Sequence, residues 1–277
     1  MPSNTAMNKV AVLIAVYAGD KPEFFREALQ SLKDQTYAQT HIILLIDGAI
    51  GEALQEVIEE FRAEISQVIA TDQNMGLARA LNTGLKYCFR MKYTFIARMD
   101  ADDIALPDRI EKQIRFLEKN PETDVVGGAI DEIDAYAASR GKIILYPETH
   151  GACFRFFAKR DPLAHPAVMF RKSFFDKAGL YSGNHRKNQD TWLWYKGFKT
   201  GCRFANIPDV VLKFRITGEF FKSRRAGIQR AQKIFTDRLE INRELGYGIK
   251  ANVFALAGFL LTISPPFVKK FAYKKLR

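Results

Sequence analysis

The chain has 277 residues, of which 47% are hydrophobic and 26% are charged. This length allows one large domain or two small ones, and the composition excludes a wholly disordered, collagenous or fibrous chain. The three cysteines lie far apart without a CxxC pair, which argues against a disulfide framework or a cysteine zinc site and for a reducing compartment. The first apolar run, Val10–Val16, is too short for a signal peptide, so we expect an intracellular protein.

The net charge of +11 is concentrated at the C-terminal end of the chain. Residues 219–277 carry 13 Lys and Arg against 4 Asp and Glu, whereas residues 1–218 carry 29 against 27. A nucleic-acid enzyme is expected to spread positive charge along its cleft, so this asymmetry predicts contact with an anionic surface and no nucleic-acid partner. The alternative is a solvated basic helix.

In the first half of the chain, apolar runs rich in β-branched residues alternate with segments of helical spacing, which is typical of a mostly parallel sheet. The predicted strands are Val10–Val16, His41–Ile46, Gln67–Ala70, Tyr93–Ala97 and Val125–Ile130. The predicted helices are one capped by Asp20 and Glu23, then Glu52–Ile65, Leu77–Phe89 and Pro107–Glu118. Beyond residue 130 we expect strands at Lys142–Tyr146 and Ala167–Phe170, and helices at Asn188–Gly201 and about Lys222–Leu245.

The C-terminal segment 251–277 is apolar and then basic. Ala251–Val268 is uncharged, but polar residues and two prolines interrupt it, and the apolar part, Val253–Ile263, is too short to span a bilayer. An interfacial or re-entrant helix is therefore expected, followed by an amphipathic basic helix that an anionic leaflet would attract with about 1 kcal/mol per basic residue. The alternative is that residues 253–263 pack on the body of the protein as a cap.

Three carboxylates, those of Asp100, Asp102 and Asp103, follow a predicted apolar strand within four residues. Carboxylates this close repel one another, and a fold tolerates them most readily when a cation binds. Oxygen ligands at the carboxyl end of a strand suit Mg²⁺ or Mn²⁺ shared with substrate phosphates. Plain turn chemistry, with Asp102 or Asp103 capping the helix near Pro107, is an equally good interpretation of the spacing alone.

An ordered set of motifs over roughly residues 9–218 resembles a known family. The motifs are Val10–Tyr17, Gln35-Thr36-Tyr37, Ile46-Asp47-Gly48, the segment Asn74–Asn82, the segment Ala97–Arg109, Asp124–Gly128, His165–Arg171, Gly179–Tyr181 and Gln189–Trp194. Together they resemble a family 2 glycosyltransferase of GT-A fold, in the bacterial exopolysaccharide subgroup of the amylovoran-biosynthesis type.

The resemblance implies an α/β fold of GT-A type, a mostly parallel Rossmann-like sheet flanked by helices, with a C-terminal helical extension. Residues 1–218 would form the transferase domain, with a nucleotide-sugar half at about 1–130 and an acceptor half at about 131–218. Residues 219–277 would form the basic extension.

The resemblance also implies the roles of individual residues. Asp100 and Asp102 match the DxD motif and would hold Mg²⁺ or Mn²⁺, and Asp190 matches the catalytic base of an inverting, single-displacement transfer. The implied donor-binding residues are Ala15, Val16, Tyr17, Asp47, Arg79, Asp100, Ala101 and Asp102. The implied acceptor-binding residues are His165, Gln189 and Trp192. Asp190 has a second interpretation, as the N-cap of the helix that follows it.

These implications together predict a metal-dependent inverting transferase in surface polysaccharide biosynthesis. It would move a sugar from a nucleotide-sugar, with a UDP-sugar favoured, to a saccharide or polyprenyl-linked acceptor at the cytoplasmic face of the membrane. Two alternatives remain open: a metal-dependent nucleotidyltransferase, which would release pyrophosphate, and a noncatalytic module that binds an anionic surface. Neither GxxxxGK[ST] nor GxGxxG occurs, which argues against a P-loop NTPase or a Rossmann dehydrogenase.

Overall fold

The computed structural model describes residues 7–183, 188–217 and 228–265, together with Val268 and Ala272. The strands are β1 Val10–Val16, β2 Thr40–Asp47, β3 Ile65–Thr71, β4 Phe95–Asp100, β5 Ile104–Ala105, β6 Val125–Ile133, β7 Ser139–Ile144, β8 Met169–Arg171 and β9 Phe204–Arg215. The helices are α1 Pro22–Lys33, α2 Glu52–Glu60, α3 Leu77–Arg90, α4 Arg109–Lys119, α5 His150–Phe157, α6 Lys172–Ala178, α7 Gln189–Lys199, α8 Ile228–Glu244 and α9 Ile249–Ile263. A short 3₁₀ turn, His165–Ala167, precedes β8.

The strands form one sheet in the order β3-β2-β1-β4-β8-β6-β9-β5, with β7 paired to β6. The long ladders are parallel, joining β3 to β2, β2 to β1, β1 to β4 and β6 to β9. The antiparallel ladders of β8, β5 and β7 are short. The sheet is therefore mostly parallel and lies between helices, as predicted from the alternation of apolar runs and helical spacing.

Alternate residues of β1 face opposite layers of the core, because successive side chains of a strand point to opposite faces. Val10, Val12 and Ile14 join the layer that also contains α1, α2 and α4. Ala11 and Leu13 join the layer that contains α3, α5, α6 and α7. Both faces of the strand are buried, which explains why its sequence is a continuous apolar run.

Several predicted boundaries and caps are wrong. Helix α1 begins at Pro22, and Asp20 does not cap it: its Oδ2 accepts a hydrogen bond from the Tyr17 backbone N–H at 2.9 Å. Proline favours the first helical position because its missing N–H has no helical partner there. Helix α2 ends at Glu60, since Ile65 already belongs to β3. Helices α5 and α6, which the sequence pattern did not reveal, fill the second layer of the core.

The C-terminal helices pack on the second layer and on each other. Ile241 of α8 is fully buried in that layer, and Phe235 of α8 lies 5.5 Å from Phe259 of α9 between ring centroids. Within the described residues, no helix is long and apolar enough to cross a membrane. The predicted start of the charged helix, residues 222–227, and the predicted basic helix after the proline pair, apart from Val268 and Ala272, lie outside the described residues.

Candidate active site

The carboxyl ends of three neighbouring parallel strands meet at one edge of the sheet. In the ladders, Ala15 of β1 lies opposite Asp100 of β4, and Val16 lies opposite Ile46 of β2. The structure thus brings the strand-end residues of the predicted donor site together. Val16 is buried, whereas Tyr17, the first residue after β1, is 46% exposed. This edge is where open α/β sheets bind their ligands.

Asp47 ends β2 and is buried against the turn that begins α3. Its Oδ1 accepts a hydrogen bond from the Met75 N–H at 2.7 Å, and its Oδ2 accepts one from the Gly76 N–H at 2.9 Å. A carboxylate in this position is favoured by the unpaired N–H groups at a helix N-terminus. Asp47 therefore fixes the start of the Asn74–Asn82 motif, and its predicted contact with a nucleoside stays a prediction.

Gly48 follows Asp47 in a conformation that needs glycine. Its φ is +86°, and a Cβ at this position would lie 2.6 Å from the Asn74 backbone nitrogen. Non-glycine residues rarely adopt such a φ, and the backbone contact leaves no room for a side chain. The close approach of these two segments therefore depends on the glycine of the Ile46-Asp47-Gly48 motif.

The acidic cluster consists of Asp100, Asp102 and Asp103. One carboxylate oxygen from each residue lies within 4.8 Å of the others. Asp102 is exposed, whereas Asp103 is fully buried: its Oδ1 accepts from the Arg215 N–H at 2.8 Å, and its Oδ2 has no partner among the described residues. Burial raises the pKa of Asp103, and the charges of Asp102 and Asp100 raise it further. The small side chain of Ala101 is buried.

Asp20 is a fourth carboxylate near this cluster, although its spacing from Glu23 predicts it at a helix cap. Burial raises the pKa of Asp20 to about 7, and the charges of Asp102 and Asp100 contribute to the rise, while the Tyr17 N–H opposes it. Tyr17 and Asp20 flank the turn after β1, which returns the chain toward the strand end. Asp20 lies a short distance along the chain after the end of β1, and this is the sequence signal for its placement. In this fold class, the ligand-binding groups lie near the carboxyl ends of the strands.

Arg98 lies beneath the acidic cluster and is almost fully buried. Its NH2 group forms an ion pair with Asp100 Oδ1. Its Nε and NH1 have no hydrogen-bond partner in the described part of the chain. Its positive charge also lowers the pKa of Asp103 and of Asp190, so it acts on both the acidic cluster and the predicted base. A charged residue inside the apolar strand β4 is the sequence signal that points to it.

Two further arginines hold the loop that carries the cluster. Arg109 NH2 donates to the Arg98 carbonyl at 2.7 Å, which fixes the end of β4 from the side of α4. Arg215 Nε donates to the Asp102 carbonyl at 2.8 Å, and its NH2 pairs with Glu27. Backbone carbonyls accept most of these bonds, so the two arginines position the loop and leave the carboxylates of Asp100 and Asp102 at the edge of the sheet.

Arg79 lies on the first turn of α3 and is exposed. Its Nε is 3.5 Å from the position that a Cβ of Gly183 would occupy. Further along α3, Asn82 Nδ2 donates to the Tyr181 carbonyl at 2.9 Å, and Asn82 Oδ1 accepts from the Tyr181 N–H at 3.0 Å. These two bonds tie α3 to the turn that leads to the predicted base. Arg79 thus lies close to Gly183, in the segment that precedes Asp190 along the chain.

Asp190 lies in the first turn of α7 and is half-buried. Asn188, with a left-handed φ of 76°, is the residue that flanks the helix, so the interpretation of Asp190 as the N-cap is wrong. Asp190 Oδ1 accepts from the Thr191 N–H at 2.9 Å. Burial raises the pKa of Asp190 to about 6, and the negative charge of Asp161 adds to the rise. A carboxylate that titrates near neutral pH is suited to proton transfer.

The residues predicted to bind an acceptor have unequal exposure. Gln189 is half-buried beside Asp190. His165 is buried, and its Nε2 lies 2.7 Å from the Tyr181 hydroxyl. Trp192 is buried in the second layer of the core, and its indole N–H donates to Asp237 of α8 at 3.2 Å. His165 and Trp192 therefore have packing partners, and the acceptor-binding role of all three residues stays a prediction.

Comparisons with known proteins decide the family. The profile described as "Glycosyl transferase family 2" matches residues 11–178, more than half of the chain. The chain belongs to glycosyl transferase family 2. It is 33% identical over 268 residues to the amylovoran biosynthesis glycosyltransferase AmsE of Erwinia amylovora, which covers 96% of this chain and 98% of AmsE. The resemblance drawn from the motifs is thus confirmed, and the protein is a glycosyltransferase.

A second relative in this glycosyltransferase family is the UDP-Gal:alpha-D-GlcNAc-diphosphoundecaprenol beta-1,3-galactosyltransferase of Escherichia coli, at 34% identity over 80% of this chain and 79% of the relative. Among solved structures, S. aureus TarS 1-349 in complex with UDP-GlcNAc superposes with a TM-score of 0.68 at 15% identity, over 97% of this chain and 76% of that chain. This chain spans 46% of the longer TarS structure. The structural likeness confirms the predicted GT-A fold.

Proposed function

We propose that this glycosyltransferase is a metal-dependent, inverting enzyme that moves a sugar from a UDP-sugar to a lipid-linked saccharide in surface polysaccharide biosynthesis. The observation that carries the proposal is an acidic cluster, Asp100, Asp102 and Asp103, that is paired through Asp100 with the buried Arg98, whose charge also acts on Asp190. An acidic cluster suited to a cation and a carboxylate suited to proton transfer are the two groups that such a reaction requires.

The residues of the acidic cluster fit a divalent cation. Their carboxylate oxygens lie within 4.8 Å of one another, and Asp103 Oδ2 has no partner among the residues the structure describes. Hard oxygen ligands of this kind suit Mg²⁺ or Mn²⁺. Asp100 and Asp102 would hold the ion, and when bound it supplies positive charge opposite the diphosphate of the leaving nucleotide.

In the proposed reaction Asp190 accepts the proton of the acceptor hydroxyl as that oxygen bonds to the anomeric carbon. The bond from the anomeric carbon to the diphosphate oxygen breaks on the opposite face, so the configuration inverts and a nucleoside diphosphate leaves. A pKa of about 6 keeps Asp190 ionised at neutral pH and still basic enough to take a proton. Asp47 and Arg98 hold the strand ends against which the donor would bind.

Two relatives support the choice of substrates. The name of the E. coli relative specifies a UDP-sugar donor and an undecaprenyl-linked acceptor, and the name of AmsE specifies biosynthesis of a polysaccharide. TarS was solved with UDP-GlcNAc. We extend a UDP-sugar donor and a polyprenyl-linked acceptor to this chain on that basis. We also retain, as part of the proposal, the division into a transferase domain at 1–218 and an extension at 219–277.

Helix α9 supports contact with a membrane surface. Its large apolar side chains are mostly exposed: Ile249, Val253, Phe254, Leu256, Leu260 and Ile263 are each between 43% and 80% accessible. Only Ala251 is buried. Lys159 of the transferase body lies beside this helix, 5.1 Å from the Phe254 ring centroid. An exposed apolar helix next to basic residues is typical of an interfacial anchor.

A donor panel tests the catalytic proposal. The purified protein is incubated with UDP-, GDP- and dTDP-sugars in Mn²⁺, Mg²⁺ or EDTA, and thermal shift is measured together with release of nucleoside diphosphate. We expect one UDP-sugar to stabilise the protein only with a divalent metal, because a ligand that binds the folded state raises its stability. Equal stabilisation in EDTA would contradict the metal assignment. Release of pyrophosphate would instead favour a nucleotidyltransferase.

Vesicle sedimentation tests the membrane contact. Wild type is expected to sediment with vesicles of phosphatidylglycerol and phosphatidylcholine, and both deletion of residues 251–277 and the double change L256E/L260E are expected to weaken binding. The matched control is L145E, at an exposed apolar residue outside α9. Unchanged sedimentation of the truncated protein would contradict this part of the proposal without affecting the donor assay.

A further inference from the structure

Asp161 lies next to the proposed base and shares a partner with it. Both carboxylate oxygens of Asp161, which follows α5, lie within 3.0 Å of Thr191 Oγ1. Thr191 is the residue whose backbone N–H donates to Asp190. The two carboxylates therefore flank one threonine, and the charge of Asp161 acts on Asp190.

Helix α8 supplies the cation that balances Asp161. Arg238 NH2 pairs with Asp161 Oδ1 at 2.8 Å, and Arg238 NH1 donates to the Phe157 carbonyl at 3.1 Å. The Arg238 side chain is 14% exposed, and its guanidinium carbon lies 4.9 Å from the Phe157 ring centroid. Both the carbonyl and the ring hold its orientation, so Arg238 is a fixed charge and not a loose surface side chain.

The neighbouring residue of α8 holds the same helix α7 from a second point. Asp237 is buried, and its Oδ2 accepts from the Trp192 indole N–H, while its Oδ1 pairs with Lys233 at 2.7 Å. Asp237 therefore contacts Trp192 of α7 directly. Arg238, the next residue of α8, is linked to Thr191 of α7 through Asp161. These two contacts link the start of α7 to α8, in addition to the apolar packing of α7 in the second layer of the core.

We propose that Arg238 and Asp161 are positioning residues for Asp190, so that α8 belongs to the active site although it lies beyond the matched residues 11–178. The proposal rests on the proposed role of Asp190 as the base. Arg238 holds Asp161 in its place beside Thr191 and offsets its negative charge. The C-terminal extension then contributes to catalysis as well as to the proposed membrane contact.

Three charged or titratable groups of the described residues face Asp190. Asp161 raises the pKa of Asp190, and Arg98 of β4 lowers it. The third group is the buried phenol of Tyr181, whose own pKa is raised by burial and by the charge of Asp190. Arg238 is linked to Asp190 through its ion pair with Asp161. The proposal therefore predicts that changes at Arg238 and Asp161 move the titration of Asp190 in opposite directions.

The test is a carbon-13 NMR titration of aspartate carboxyl groups, which needs no substrate. Asp190→Asn assigns the resonance. We expect Arg238→Gln to raise the midpoint of Asp190 by about 0.5 to 1 pH unit, because the charge of Asp161 is then unopposed. Asp161→Asn is expected to lower the midpoint, and the double variant is expected to follow Asp161→Asn. A role limited to packing would not give shifts of opposite sign.

Controls keep the test decisive. Arg243→Gln changes a more exposed arginine of the same helix, which pairs with Glu244, and the Asp190 midpoint should stay at the wild-type value. Arg238→Lys retains the charge and should stay close to wild type. An unchanged midpoint in folded Arg238→Gln overturns the proposal. If that variant does not fold, Asp161→Asn decides: a lower midpoint supports the proposal and an unchanged one overturns it.

The same variants separate this inference from the proposed function. Once a donor is identified, the acid limb of kcat/KM should move with the NMR midpoint, while donor-dependent thermal shift stays unchanged. Opposite NMR shifts without any sugar transfer by the wild type would contradict the proposed function and leave the link between Arg238, Asp161 and Asp190 intact. Transfer with no NMR shift would contradict the link alone.

Discussion

The strand-end side of the site, carried by Asp47, Asp100 and Asp102, and the helix side, carried by Asp190, place their charged groups in different ways. On the strand-end side Asp47 ends β2, Asp100 ends β4 and Asp102 follows two residues later, and parallel pairing through β1 brings the two strand ends together. On the helix side Asp190 depends on Asp161, in the loop after α5, and through it on Arg238 of α8. The strand-end side is therefore built by repeating one element, the parallel strand. The helix side is built by contacts between residues that lie far apart in the chain.

The two sides should therefore respond differently to substitutions elsewhere in the protein. The strand ends are held by a sheet buried on both faces, so the acidic cluster should survive changes in the C-terminal helices. Asp190 lies in the first turn of α7, beside the polar contact of Thr191 with Asp161, so its titration should respond to distant substitutions such as those at Arg238. Five predictions, in order of decreasing expected effect, test this difference between the two sides.

The largest effect is expected at the strand ends. Asp100→Asn should lower transfer by at least about 10³-fold, because a metal-held diphosphate site supplies several kcal/mol to the reaction. The measurement is nucleoside diphosphate release with the donor found in the panel. Asp176→Asn, at an exposed residue paired with Lys172, is the control. A variant that retains a tenth of wild-type transfer would exclude Asp100 from the site.

On the helix side, Asp190→Asn should lower transfer by about 10³-fold while donor binding is retained, because the amide cannot take a proton. Donor-dependent thermal shift and product release, measured on the same protein, separate the two steps. The control is Asp209→Asn, at a half-exposed partner of Lys112. Loss of donor binding together with transfer would place Asp190 in the donor site instead.

Arg98 joins the two sides, and its removal should be felt in stability. Arg98→Met should lower the free energy of unfolding by about 3 kcal/mol, because it leaves Asp100 without its buried partner. Urea unfolding at pH 7.5 measures the change. Arg115→Met, at a surface residue paired with Glu111, should cost less than about 0.5 kcal/mol. Equal losses of unfolding free energy in the two variants would show that the buried ion pair contributes no more than the surface pair.

Gly48 tests how closely the strand-end side depends on backbone geometry. Gly48→Ala should destabilise the fold by about 2 kcal/mol, since it combines a positive φ with a backbone contact at 2.6 Å. Gly141→Ala has a similar φ of +66° but open space around the Cβ, so it reports the cost of φ alone. Thermal unfolding of both proteins gives the difference. A larger loss at Gly141 would contradict the role of the close contact.

The smallest effect concerns pH and Asp190. Its pKa in the folded protein is about 6, above the value of about 3.9 for an unfolded aspartate. The stabilising contribution of the protonated form is therefore complete below pH 4 and is lost as the pH rises through 6. Asp190→Asn should raise Tm relative to wild type at pH 7.5, by about 2 to 4 °C for each 1 kcal/mol, and less at pH 4.5. A pH-independent difference would contradict the raised pKa.

The strand-end side could be predicted from the sequence to a large extent. Apolar runs with helical spacing between them predicted β1 and β2 within a residue or two, because buried parallel strands carry a near-continuous apolar signal. The carboxylates could be placed because Asp47 lies at the end of β2, and Asp100 and Asp102 lie at and just after the end of β4. What the pattern did not reveal was Asp20, whose position near the cluster depends on how the turn after β1 folds back.

On the helix side, the motifs predicted Asp190, two of its neighbours along the chain and His165, but not the charged groups around Asp190. Trp192 is an aromatic residue that could bind a sugar acceptor, but the structure gives its indole N–H a buried partner on α8. Asp161 and Arg238 are 77 residues apart, and nothing in their local sequence links them. Long-range ion pairs have no periodic signal, so pattern analysis cannot find them.

The α/β class, the positions of the strands along the first half of the chain, the family and the acidic motif could all be predicted from the sequence, because periodicity and contiguous motifs encode local structure directly. The spatial order of the strands and the pairing of charges are set by the tertiary structure: Arg98 pairs with Asp100, Asp103 with the Arg215 N–H, and Arg238 with Asp161. Electrostatic interactions depend on distance in space and on burial. Both are set by how sheet and helices pack, and neither can be read from separation along the chain.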